Sequence, residues 1–404
     1  MSAGTVALAA PASAAAADPG PAPPAERRDN RVSRFVEVIL VGGGTLVLFP
    51  LLWLLRKGVG TDDSELAVGF LTFYGAYVIN DPHFAVTYLL FYKDFRKRAA
   101  GRELARSQRI RYLVAGLLVP IALATWTICA MALHSARTLG WMIQLMFLLV
   151  GWHYVKQGFG VLTVLSARRG VRVSARERAV VLFHCYAGWA YAWASPAVAA
   201  GEFEEKGVVY SAVAHPRWLD LTTGAALGVS TVALLVVLVS EARRLGRRLP
   251  ASLLGSLLIT VWSWTIYSSV DPLLRYVIPA LHSVQYLYFV WLIKRNEARE
   301  SEGPPSFGRP VAVRLGFLAV SALALGWLLF RGAPGYLDGI LVPPPARGAV
   351  ADALGETPFF AAFFVAVSIH HYFMDNAIWR RDNPDTRYLR EPTGSRPAPA
   401  EGRP

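Results

Sequence analysis

Charge and cysteine are both scarce in this chain. Only 17% of its 404 residues are Asp, Glu, Lys or Arg and 54% are hydrophobic, against about 25% charged in soluble domains. That balance excludes an ordinary water-soluble globule, and apolar runs recurring along the whole chain identify a polytopic membrane protein. The two cysteines, Cys129 and Cys185, both lie inside apolar stretches, which excludes a disulfide framework and any CxxC metal or redox motif. Acidic residues are outnumbered: 28 Asp and Glu face 41 Lys and Arg, a formal charge of +13. The basic residues sit in short clusters beside apolar runs, the pattern of a topology signal, so no nucleic-acid partner is expected. Residues 1–33 are rich in Ala and Pro and lack a basic segment ahead of an apolar core. A disordered cytoplasmic tail is expected there rather than a cleaved signal peptide. No internal repeat is evident.

Apolar runs bounded by charge predict an all-α, polytopic helical bundle of about ten spans over residues 34–380, near 35–55, 66–92, 110–133, 141–165, 178–195, 221–239, 253–270, 273–293, 311–330 and 358–379. Residues 381–404 are expected to form a second disordered cytoplasmic tail. Clusters such as Arg27, Arg28 and Arg31, then Lys93, Arg96 and Lys97, then Arg168 and Arg169, then Arg243 and Arg244, then Arg380 and Arg381 alternate with acidic loops such as Asp62, Asp63 and Glu65 or Glu202, Glu204 and Glu205. The positive-inside rule then puts both termini in the cytoplasm, in a multi-pass protein of the bacterial inner membrane. Two places look interrupted. In Asn80-Asp81-Pro82-His83 the proline removes a backbone donor and Asp81 is suited to cap a new half-helix opening at His83, and Asp271-Pro272 predicts a tight hairpin.

Five of these spans carry histidine: His83, His153, His184, His282, and the pair His370 and His371. At about 1.5 Å per residue they lie about 14, 18, 9, 17 and 12–14 Å from the cytoplasmic ends of their spans, so one layer in the cytoplasmic half accommodates all six. Ionisable residues are costly inside a membrane, and a shared depth is not what isolated helix-to-helix hydrogen bonds predict. Neutral imidazole suits iron, zinc or copper. Helical spacing sets Gln157 beside His153, Gln285 beside His282 and Asp375 beside His371. Those groups and Asp81 are candidates to orient ligand imidazoles, with Asp375 or Asp81 also a carboxylate ligand. Lys156 is a candidate partner of Asp81 or Asp375, or it reaches for the interface. The competing account makes each histidine an interhelical hydrogen-bonding residue worth about 0.6 kcal/mol, and it weighs most on His184, which has no polar neighbour on its own helix face.

Pro82-His83-Phe84, Trp152-His153-Tyr154 and the dipeptide His370-His371 resemble, in their setting on separate membrane helices, the polytopic histidine-cluster non-haem iron oxygenases and desaturases. These include membrane fatty-acid desaturases and hydroxylases and the bacteriorhodopsin-related-protein type of carotene dioxygenase. The desaturase boxes HxxxH and HxxHH are absent. The resemblance implies a membrane-bound iron oxidoreductase, mononuclear or dinuclear, acting on a lipid or isoprenoid with electrons from a cytoplasmic donor. Two alternatives stay open. A haem electron carrier would show paired histidines at two depths. A proton- or ion-coupled transporter would use Asp81, Lys156, Asp375 and the histidines as a relay beside the broken span.

Overall fold

A computed structural model describes residues 33–171, 173–195, 200–246, 248–269, 272–342 and 354–389. The expected tails at 1–32 and 390–404, and Asp271 of the expected Asp271-Pro272 turn, lie outside the described residues. Within Val38–Pro404, a π-helical turn Ile39–Gly43 leads into α1 (Thr45–Val59), α2 (Thr61–Ala76), α3 (Asn80–Tyr92), α4 (Arg106–Ala132), α5 (Ala136–Arg168) and α6 (Ala175–Ala194). These are followed by α7 (Arg217–Leu245), α8 (Ala251–Ile266), α9 (Pro272–Ser301), α10 (Val311–Leu341) and α11 (Pro358–Ile378).

The fold is helical, as the apolar periodicity predicts, and the chain has the build of an integral membrane protein. Five helices, α4, α5, α7, α9 and α10, are each long and apolar enough to cross a bilayer; Ser33–Gly43 with Thr45–Val59, taken as one bent span, would make six. Of the other expected spans, 178–195 and 358–379 fall on unbroken helices of 20 and 21 residues that are not among those five, 253–270 falls on the shorter apolar helix α8, and two are divided. The run 66–92 is two helices, α2 and α3, because the chain leaves helical geometry at Ile79 (φ −121°, ψ −59°). The run 35–55 breaks at Gly42, whose φ of 131° only glycine adopts readily. Outward faces are apolar: on α7 Leu221, Val229, Val232 and Val236 are all exposed while Ser230 is buried, the reverse of a water-soluble helix and the arrangement a lipid solvent selects.

Three local features differ from the sequence expectation. Asp81 does not cap α3; its Oδ2 lies 3.8 Å from Arg331 Nε, and Pro82 sits in the first turn, where its missing donor costs nothing. Residues 201–212, expected as an acidic loop, form an antiparallel hairpin of β1 (Gly201–Glu205) and β2 (Val208–Ala212). Lys206 (φ 54°) and Gly207 (φ 85°) supply the two left-handed residues its tight turn requires. Buried Val208 packs on the α5 core, and Gln144 donates to the Ser211 carbonyl at 3.1 Å. Residues 381–389, expected to be tail, are instead docked: Asn383, Tyr388 and Leu389 are buried, Asn296 donates to the Tyr388 carbonyl at 2.9 Å, and Arg98 holds Asp385 at 2.7 Å.

Two contacts set the helices that matter below. The Asp338 carboxylate, near the end of α10, accepts from the amides of Phe359 at 2.9 Å and Phe360 at 3.0 Å, fixing the start of α11 through donors that no intrahelical carbonyl can reach. Gly326 of α10 packs so closely on α3 that a Cβ there would stand 2.8 Å from the Asp81 carbonyl carbon.

Candidate metal centre

His83 sits in the first turn of α3, His153 midway along α5, His282 three residues past Pro279 in α9, and His371 in the second half of α11. Their sequence separation is large, yet one potential ligand atom from each of the four lies within 4.8 Å of the others. The rings form a closed circuit: His83 to His371 (centroids 4.5 Å), His371 to His153 (4.9 Å), His153 to His282 (4.8 Å) and His282 to His83 (5.1 Å). Every step is steeply tilted, 68° to 87° between planes, so the imidazoles turn edges rather than faces toward one another. All four are buried.

Their hydrogen bonding is incomplete. His83 Nε2, His282 Nδ1 and both nitrogens of His371 have no hydrogen-bond partner among the described residues. A buried polar atom left so costs about 1–3 kcal/mol, and native structures keep few of them. His153 Nε2 and His282 Nε2 approach to 3.0 Å. Beside the circuit, Asp375 Oδ2 lies 3.3 Å from His371 Nε2 and 3.7 Å from His153 Nε2. Four imidazoles converging with one carboxylate at their edge is a donor set that fits iron, copper or zinc, and the unpartnered nitrogens are lone pairs or N–H groups that a metal would put to use.

The tautomer of His83 follows from its neighbour. Ser283 Oγ has one proton, directed at the Pro279 carbonyl (2.7 Å) or Asn80 Oδ1 (3.0 Å). It therefore accepts from His83 Nδ1–H at 3.1 Å and leaves Nε2 as the bare lone pair facing the cluster. Aromatic rings wall the site: Tyr372 stacks on His153 (4.6 Å), Tyr154 packs on His282 (4.6 Å), and Phe84 on His371 (4.7 Å).

The remaining candidates fall elsewhere. His370 is turned away and satisfied at both nitrogens: Nε2 donates to the Ala115 carbonyl at 2.8 Å and Nδ1 meets the Tyr88 hydroxyl at 2.9 Å. His184 stands outside the group, with Nδ1 on Ser230 Oγ at 3.1 Å. Gln157 and Gln285 do not orient imidazoles; their amides bond each other at 2.8 Å, and Gln285 also donates to the Val41 carbonyl at 2.6 Å. Lys156 pairs with neither aspartate, its Nζ lying over the rings of Phe159 (5.7 Å) and Tyr186 (5.9 Å). Asp81 faces Arg331. Of the two candidate carboxylates, Asp375 reaches the cluster. The roles of Ser283 and Tyr372 escaped the sequence reading, because a serine or tyrosine in an apolar span gives no signal until its partner helix is known.

Comparison of the chain with protein-family models, with curated proteins and with solved structures finds no match.

Proposed function

We propose that this chain is an integral membrane metalloenzyme in which His83, His153, His282 and His371 hold a single iron ion, with Asp375 at its edge, to oxidise, hydroxylate, desaturate or cleave a lipid or isoprenoid substrate. The observation that carries the reading is the convergence of four buried imidazoles, three of them with unpartnered nitrogens, from four separate helices. Iron supplies dioxygen activation and one-electron chemistry to such a donor set. The protein's part is visible in its own residues: Ser283 fixes the His83 tautomer, the tyrosines and Phe84 exclude water, and Asp375 places a carboxylate against two of the histidines. A substrate dissolved in the bilayer suits a site enclosed by helices whose outer faces are apolar, and electrons would come from a cytoplasmic donor. The ten-span topology with both termini in the cytoplasm of a bacterial cell rests on the arginine pattern. The relay that ion-coupled transport would need is incomplete among the described residues: Asp375 adjoins two of its histidines, but Lys156 and Asp81 each have other neighbours.

The test is elemental mass spectrometry on detergent-purified protein prepared without chelator, beside a His83→Ala, His282→Ala, His371→Ala triple variant. About one iron per chain, lost in a folded triple variant, is the expected result. A wild-type protein that binds no metal on reconstitution would discard the proposal.

A further inference from the structure

Asp375 has two faces. Oδ2 lies against His371 and His153, while Oδ1 accepts from the Tyr286 hydroxyl at 2.8 Å and from Trp379 Nε1 at 3.2 Å. The Tyr286 ring stands 4.8 Å from His83 and 5.7 Å from His371 on one side and 5.3 Å from Trp379 on the other, all ordinary ring-contact separations. Tyr286 is 2% exposed, whereas Trp379 is half-buried and lines a surface depression with Arg98 and Asp385. We infer that Tyr286 is a one-electron relay between the four-histidine centre and Trp379 at the surface, with Asp375 holding the phenol proton. This rests on the metal-site reading above.

The choice of Tyr286 over its neighbours is geometric. Tyr154 and Tyr372 also pack on the histidines, but of the three only Tyr286 has its hydroxyl on a carboxylate among the described residues. Tyr154 leads only to Trp264, which is 1% exposed and bonded to Thr45 Oγ1, so it goes no further toward water. A buried phenol gives up an electron far more readily when its proton has somewhere to go, since a charged phenol radical in an apolar interior is prohibitive. Here the O–H bond breaks, its proton passes to Asp375 Oδ1, and one electron passes to the oxidised centre, which is reduced by one. Then one electron returns through Trp379 from a water-soluble one-electron donor, the proton comes back from Asp375, and the O–H bond re-forms. Thr87 Oγ1, 2.6 Å from the same hydroxyl, holds the oxygen in place throughout.

The experiment loads full-length protein with ferrous iron, counts the iron, freezes it seconds after adding hydrogen peroxide and records the electron paramagnetic resonance spectrum. A radical signal that narrows when the protein carries ring-deuterated tyrosine is expected in the wild type and in Tyr372→Phe, and is expected to vanish in Tyr286→Phe at unchanged iron content. In Trp379→Phe the signal should form but be quenched by ascorbate about tenfold more slowly, a barrier higher by about 1.4 kcal/mol. An iron-loaded wild type with no tyrosyl signal, a Tyr286→Phe variant that keeps it, or quenching in Trp379→Phe at the wild-type rate would overturn the relay alone. A chain that takes up no iron overturns the relay together with the metal site, so the iron count tells the two failures apart.

Discussion

The circuit of His83, His153, His282 and His371 and the flanking positions of His184 and His370 are equally buried, yet they treat an imidazole in opposite ways. At the flanks the ring is a bolt: His370 ties Tyr88 of α3 to the Ala115 carbonyl of α4, and His184 bonds Ser230 across to α7. At the centre the rings converge on one another and leave nitrogens without partners. Neither burial nor depth separates these two uses. What separates them is convergence: the central four bring ligand atoms within 4.8 Å of one another, whereas His184, whose Nε2 also lacks a partner among the described residues, and His370, satisfied at both nitrogens, lie outside that group. Gathering four buried imidazoles, three of them with unpartnered nitrogens, costs stability that an apolar core would not spend, which is why the central four read as a site; His184 and His370, each bonded across to other helices, read as structure.

That contrast can be broken from the flank first. His370→Ala leaves the Tyr88 hydroxyl and the Ala115 carbonyl without their partner and opens a void, an expected loss of about 2–4 kcal/mol in unfolding by denaturing detergent, with iron content unchanged; loss of iron to the same degree as in the triple ligand variant would erase the distinction between the two groups. Gly326→Ala tests how strictly the centre is held. The new methyl meets the Asp81 and Pro82 backbone, so it should cost about 1–3 kcal/mol and, by displacing the start of α3, lower iron occupancy through His83; unchanged occupancy on titration would show that the site tolerates movement of that helix. Ser230→Ala should be the mildest, about 1 kcal/mol from losing the hydroxyl's bonds to His184 Nδ1 and the Leu227 carbonyl, with no change in iron content, read in the same two assays.

Much of this organisation is legible in the sequence, and the parts that are not share a cause. Proline makes the break before His83 readable, because its missing donor and fixed φ are properties of the residue itself. The histidine-bearing helices are readable because polar residues are rare in apolar runs. Which histidine points inward is not, since neighbouring positions on a helix differ by about 100° and only the packing of α11 against α3, α4 and α5 decides between His370 and His371. Helical spacing correctly sets Gln157 on the face of His153, yet its amide reaches across to α9, where a better acceptor waits. The hairpin at residues 201–212 is short, and its alternation of Phe203 with glutamates is hidden by acidic residues that read as a solvent loop. Asp375 stands beside His371 as expected, because the spacing of four residues along one helix is a purely local distance.

The adjacent pair on α11 makes the rotational phase of a helix and the composition of a metal site a single variable. His370, anchored on both nitrogens, acts as the detent of a dial whose pointer is His371. One residue inserted between Asp338's hold on the start of α11 and this pair would turn the pointer by about 100° and set the detent in its place, and an insertion of four would nearly restore the angle but carry His371 about 6 Å along the axis and leave Val367 in its place. In this helix, therefore, both the phase and the distance from Asp338 are set by one number, the count of residues between them.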